Sequence, residues 1–174
     1  MIERSLARIS LLGLAGLLLL GHSPYRQWYA YRAKHLVVVS AESRPGAAAL
    51  AEAVAGAIAA GLPESKAVAT LVQTTSDVVS LLSSGQLQVG LLPSADARHA
   101  LAGTAAFAEQ GPLPLRAVAV IGDDVLVVLE TFPAAKARDL SRALRAHPGK
   151  WLEAVPAAFQ GAPPIPFHSG VAAR

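Results

Sequence analysis

The hydrophobic and polar positions alternate between two rhythms along most of the chain. "HLVVVSA" (His35 to Ala41) is an unbroken β-branched run and predicts a strand. "GAAALAEAVAGAIAAGL" then places Leu50, Val54, Ala57 and Ile58 at helical spacing, with Ser43 as the expected cap, Pro45 near the first turn and Gly61 as the stop. "KAVATLVQT" predicts a second strand. Thr75 to Ser84 predicts a short helix carrying Val78, Val79, Leu81 and Leu82, capped by Thr75 or Ser76 and closed by Gly85. "LQVGLLP" is a third strand, and "SADARHALAG" a helix capped by Ser94 and stopped by Gly103. "PLRAVAVIG" and "DVLVVLE" are two further strands around a tight "GDD" turn, in which the side chains of Asp123 and Asp124 should diverge. "AAKARDLSRALRAHPG" predicts an amphipathic helix ended by Pro148 and Gly149. "KWLEAVPAAFQ" predicts a last short helix, and a proline-rich tail follows.

Strand and helix alternate from residue 35 to about 100. That order builds parallel strands with helical crossovers, because parallel neighbours need a long connection. Strands apolar on both faces are expected where helices cover both sides of a sheet. The predicted fold class is therefore α/β: a mostly parallel sheet with helices on both faces, over residues 35–160, followed by a Pro/Gly-rich tail over 161–174.

The first 34 residues follow a different rule. "MIERSLARISLLGLAGLLLLGHSPYRQWYAYRAKH" has a charged start and an apolar run from Ile9 to Gly21. Its length suits a signal-peptide core better than a full membrane span of about 20 residues. No small-x-small cleavage site follows, and Pro24 stands where processing would be hindered. Tyr25, Trp28, Tyr29 and Tyr31 cluster with Arg26 and Arg32, the composition of a membrane–water interface. The expectation is a retained single-pass anchor over residues 6–25 in an inner membrane, with the soluble domain facing the periplasm. A cleaved signal peptide is the alternative. Arg4 and Arg8 favour an inside N-terminus, whereas Arg26, Arg32 and Lys34 pull the other way.

Composition narrows the chemistry. The 174 residues are 53% hydrophobic and only 16% charged, alanine-rich, with 14 Gly and 12 Pro, which suits close packing of helices on a sheet. The absence of cysteine removes disulfides, cysteine zinc sites and thiol nucleophiles. The net charge of +3 is small and its basic residues dispersed, so no nucleic-acid partner is expected. His22, His35, His99, His147 and His168 lack metal-ligand spacing, and no G-x-S-x-G elbow, P-loop or triad order occurs. Neither an enzyme, a metal nor a cofactor is expected.

The candidate ligand-binding residues lie where strands end and helices begin. Thr74, Thr75, Ser76 and Asp77 open one helix, where unpaired N–H groups and a partial positive charge suit a carboxylate. Ser94 and Asp96 open the next, at the carboxyl end of the third strand, the edge at which open α/β sheets bind ligands. Ser40 and Glu42 end the first strand on the same edge. Ordinary helix capping accounts for the same residues equally simply. Lys136, Arg138, Arg142 and Arg145 share one helix. Positions 138, 142 and 145 form a face opposite Leu140 and Leu144 that suits lipid headgroups, an acidic partner or plain solvent.

"HLVVVSAESRPGAAALAEAVAGAIA", "TTSDVVSLLSSGQLQVGLLPSADA" and "LRAVAVIGDDVLVVLE" together resemble, in order, the first lobe of type II periplasmic solute-binding proteins, and in particular the TAXI group of TRAP-transporter binding subunits. The tail "PIPFHSGVAAR" resembles a P-x-H-x-G-A segment of that group. The resemblance implies one periplasmic-binding-protein-like lobe, association with transport, and a small organic anion as ligand. The chain departs from the group in three ways. A second lobe is expected to be absent. The ligand turn after the first strand, "SAESRPGA", is poor in glycine and carries Glu42 and Arg44. Gln88 stands where an acidic residue is usual. The alternative expectation is an accessory or assembly subunit that docks a membrane or periplasmic protein, with solute binding lost.

Overall fold

In the computed structural model, residues 31–32, 34–148 and 163–172 are described. The expected anchor over 6–25 and the helix expected near 150–160 lie outside them. The chain divides at Lys34/His35, and the second unit carries the sheet. Among the described residues no helix is long and apolar enough to cross a membrane.

Five strands form one mixed sheet in the order β2-β1-β3-β5-β4: β1 (Val37–Ala41), β2 (Val68–Val72), β3 (Val89–Pro93), β4 (Leu115–Ile121) and β5 (Asp124–Leu129). The chain is thus α/β, as its alternating pattern predicts. The sheet is less parallel than expected. β1 pairs in parallel with β2 and β3, whereas β5 runs antiparallel to both β3 and β4. The tight connection explains this: Gly122 and Asp123 form a two-residue turn with Gly122 at φ 60, and so short a link joins only antiparallel neighbours. β5 then slots between β4 and β3.

Helices cover both faces. α1 (Ala47–Gly61) and α4 (Ala134–Ala146) pack on one face, where Val54, Ile58, Leu140 and Leu144 meet Val38, Leu91 and Leu126. α2 (Thr75–Ser83) and α3 (Ser94–Ala102) pack on the other, where Val78, Leu82 and Ala97 meet Val39, Leu92 and Val127. Each fully buried Leu or Ile contributes about 1.5–3 kcal/mol relative to exposure. The alanine content serves this packing: Gly61 approaches so closely that a Cβ there would lie 2.6 Å from the Cβ of Ala143 on α4.

Three helix starts differ from the sequence reading. α1 begins after Gly46, held at φ 78, and not from a Ser43 cap. Thr74, and neither Thr75 nor Ser76, caps α2. Ser94 is the first residue of α3, where its backbone N–H donates to Asp123 O at 2.8 Å, and no side chain caps that helix.

The tail is built into the fold. Phe167 bridges in parallel to Ala117, so residues 166–168 extend the sheet beyond β4: Ala117 N–H donates to Pro166 O and His168 N–H to Ala117 O, both at 2.9 Å. α5 (Ser169–Ala172) follows and packs on α4. His168 is 1% exposed. Its Nδ1 accepts from Gly170 N–H at 3.1 Å and its Nε2 donates to Glu130 O at 3.3 Å, which assigns the neutral Nε2–H tautomer. The ring meets Phe132 edge-on, centroids 6.4 Å apart.

Candidate functional site

β1 leads into α1 on one face, and β3 leads into α3 on the other. The connections therefore diverge at the carboxyl ends of β1 and β3, which is the switch point where open α/β sheets form a crevice. Three connections border it: Glu42 to Arg44 after β1, Ser94 to Asp96 after β3, and the Gly122–Asp123 turn before β5. Gln73 to Asp77 follow β2 on the same edge.

Across this crevice Arg44 and Asp124 form a two-armed ion pair. Nη1 of Arg44 donates to Oδ1 of Asp124, and Nη2 donates to Oδ2 at 2.8 Å. The side chains are 27% and 10% exposed, so the pair is shielded while its outer side still meets solvent. Because Asp124 pairs in register with Pro93, the guanidinium reaches over the end of β3 to the strand beyond it. The hydrogen bond to Asp124 holds the Arg44 pKa above its ordinary value; burial opposes the rise, and the charges of Asp124, Asp96 and Asp123 add to it. A raised folded-state value means that the stabilisation is fully present below the ordinary arginine range and fades only above it. The guanidinium itself is therefore charged throughout the acidic and neutral range.

Most of the residues expected from the sequence have other duties. Thr74 and Asp77 form a closed capping box: Thr74 Oγ1 accepts from Asp77 N–H at 3.2 Å and donates to Asp77 Oδ2 at 2.8 Å, while Oδ2 also accepts from Thr74 N–H at 2.9 Å. Two of the N–H groups expected to hold an anion are thereby taken, that of Asp77 by the Thr74 hydroxyl and that of Thr74 by the Asp77 carboxylate. Replacing Thr74 with alanine is expected to lower unfolding stability by about 1 kcal/mol, read by urea denaturation of the full chain. Thr75 and Ser76 are half-buried in the first turn of α2. Ser40 is 1% exposed and its hydroxyl turns inward to Leu91 O at 3.5 Å, so it stitches β1 to β3 and lies off the rim. Glu42 is exposed, and its backbone N–H extends the β1–β2 ladder to Val72 O. Ser94 and Asp96 are half-buried beside the turn, and Asp96 belongs to the field around Arg44.

Ser94, Asp96 and Glu42 lie at the carboxyl edge of the sheet, as the sequence reading placed them, but that reading did not foresee the Arg44–Asp124 pair. Arg44 stood out only as a departure from a glycine-rich turn, and Asp124 only as a hairpin residue. The available signal was an arginine in the turn after one strand and an aspartate opening another.

The arrangement places one forked cation among several carboxylates: Asp124 on the fork itself, with Asp96 and Asp123 close by. Among the described residues no group of three or more His, Cys, Asp or Glu is placed to hold a metal ion. The sequence matches no family model and no curated protein.

Proposed function

We propose that this chain is a membrane-anchored, extracytoplasmic module of the solute-binding type, associated with transport, whose β1/β3 crevice takes a small amphoteric organic solute. The observation that carries the reading is the Arg44–Asp124 fork across the switch point. A two-armed guanidinium is a geometric match for a carboxylate. A solute carboxylate entering there displaces Asp124. A purely anionic solute would leave that aspartate unpaired beside Asp96 and Asp123, and a purely cationic one would strand Arg44. A solute with both a carboxylate and an ammonium inserts into the pair and keeps every charge partnered. The electrostatics therefore favour an amphoteric solute over the simple organic anion expected from sequence, and the need to break the Arg44–Asp124 pair and dehydrate the solute keeps binding weak.

The second reading is an accessory subunit that docks a protein partner. The closed Thr74–Asp77 box and the filled Arg44 fork favour it, since both satisfy the rim internally. Thermal unfolding of the full chain in neutral detergent separates the two. Alanine, serine and glutamate as free amino acids are expected to raise the transition by a few degrees, while acetate, succinate and ethylamine leave it unchanged. Arg44→Lys keeps the charge, removes the fork and should abolish the shift. A flat response to every solute, with a stoichiometric partner recovered on cross-linking in membranes, would sink the first reading in favour of the second.

A further inference from the structure

The two edges of the sheet are finished differently. Beyond β4 the tail pairs with Ala117, and Arg116 forms an ion pair with Glu130. Beyond β2, the other outermost strand, no strand lies among the described residues. Edge strands are usually blunted by charge, proline or a bulge. Val68–Val72, "VATLV", carries neither charge nor proline and pairs with β1 without a register shift. Its outward groups follow from the ladder. Val68 N–H donates to Leu36 O at 3.0 Å, and Glu42 N–H donates to Val72 O at 2.8 Å. Alternation therefore turns Val68, Thr70 and Val72 toward β1, and Ala69 and Leu71 outward. The N–H and C=O groups of Ala69 and Leu71 find no partner among the described residues. The Leu71 side chain is exposed as well, whereas Ala69 packs against the α1/α4 core. Lys66 before the strand and Asp77 beyond it are both exposed, and Lys66 makes no ion pair among the described residues.

From this we propose that β2 pairs antiparallel with β2 of a second copy of this chain, about a two-fold axis through Thr70. Such an axis requires a self-complementary edge, and β2 has one. Ala69 faces Leu71 of the second copy, and the two exchange their free N–H and C=O groups. The small Ala69 leaves room for the exposed leucine. On the other side of the strand Val68 meets Val72 and Thr70 meets its own symmetry mate, both favourable cross-strand pairs. Lys66 comes opposite Thr74, beside the Asp77 carboxylate, and the axis repeats that contact. Sliding the register either way opposes Lys66 to Val72 or Val68 to Thr74. The charge complementarity and the matched apolar pairs thus select a second copy over an unrelated strand. A five-residue strand pair is smaller than a standard interface of about 1,600 Å², so the dimer is weak and reversible.

Sedimentation velocity of the full chain in neutral detergent, from micromolar to millimolar concentration, tests this. A reversible monomer–dimer equilibrium is expected. Leu71→Pro removes an outward N–H and leaves the bonds to β1 in place. It should raise the dissociation constant at least about tenfold, since the axis repeats each lost bond. Leu71→Lys sets a charge on the edge without touching the backbone and should act in the same direction. Lys66→Glu brings two carboxylates together and should weaken the dimer too. The chain has no cysteine, so Thr70→Cys reports the register. Its two copies meet on the axis as a non-hydrogen-bonded pair with Cα atoms about 4.5 Å apart, and mild oxidation should join them. Lys136→Cys, exposed on α4, should stay monomeric under the same oxidation. A monomer at every concentration, an association that both Leu71 variants leave unchanged, or equal cross-linking through positions 70 and 136 would overturn the proposal. A disulfide from Thr70→Cys to a different protein in membranes, with none to itself, would overturn it in favour of a partner's strand.

Discussion

Replacing Asp124 with alanine is expected to lower the unfolding free energy of the full chain by about 3 kcal/mol, read from urea denaturation at neutral pH. The cost comes mainly from the charge left behind. Arg44 is only 27% exposed and keeps its place over the end of β3, so its guanidinium loses two charge-assisted hydrogen bonds that water replaces incompletely. Asp124→Asn should fall between, because the amide oxygen still accepts from one arm but carries no charge. Asp123→Asn changes an exposed neighbour in the same turn and should stay within about 0.5 kcal/mol. Equal losses at positions 123 and 124 would mean that the turn, and not the fork, is what stabilises this edge.

A loss of similar size, about 2–3 kcal/mol, is expected for Gly170→Ala, by a different route. A Cβ at position 170 would lie 2.0 Å from the carbonyl oxygen of Ala134 and 2.8 Å from its carbonyl carbon. Those are backbone atoms at the start of α4, so no rotamer change relieves the clash. α5 must lift, and the His168 hydrogen bonds to Ala117, Glu130 and Gly170 go with it. Hydrogen exchange gives the specific signature: the amides of Ala117 and His168 lose protection while those of β1 and β3 keep theirs. Retained protection at Ala117 would show that the tail docks without α5.

These two sites divide what local sequence discloses from what it does not. The β-branched run of β1, the helical spacing of α1 and α4, the glycine after α2 and the tight turn before β5 are local patterns, and each forms where its pattern points. The helix caps were legible only to within three residues: Gly46, Thr74 and Pro93 stand at the N-cap positions, whereas neighbouring Ser43, Thr75 or Ser76 and Ser94 carry the side chains that favour capping. Insertion of β5 between β3 and β4 was not legible, because strand order depends on pairing between distant segments. The Arg44–Asp124 fork follows from that register and was hidden with it. The docked tail was hidden for a related reason. Its prolines read locally as an unstructured end, yet Pro166 supplies a carbonyl, and Phe167 and His168 complete the edge of β4.

The reading of the rim depends on the fork being a carboxylate-recognising device with its own aspartate seated in it. Calorimetric titration of free glutamate into the wild-type chain and into Asp124→Asn tests this most directly. Asp124→Asn removes the internal competitor and, with it, the partner of the solute ammonium, so glutamate should bind the variant no more tightly than the wild-type chain, whereas succinate, titrated alongside, should bind the variant alone. Heats of dilution alone in both proteins would contradict the account and leave the fork as a purely structural bridge.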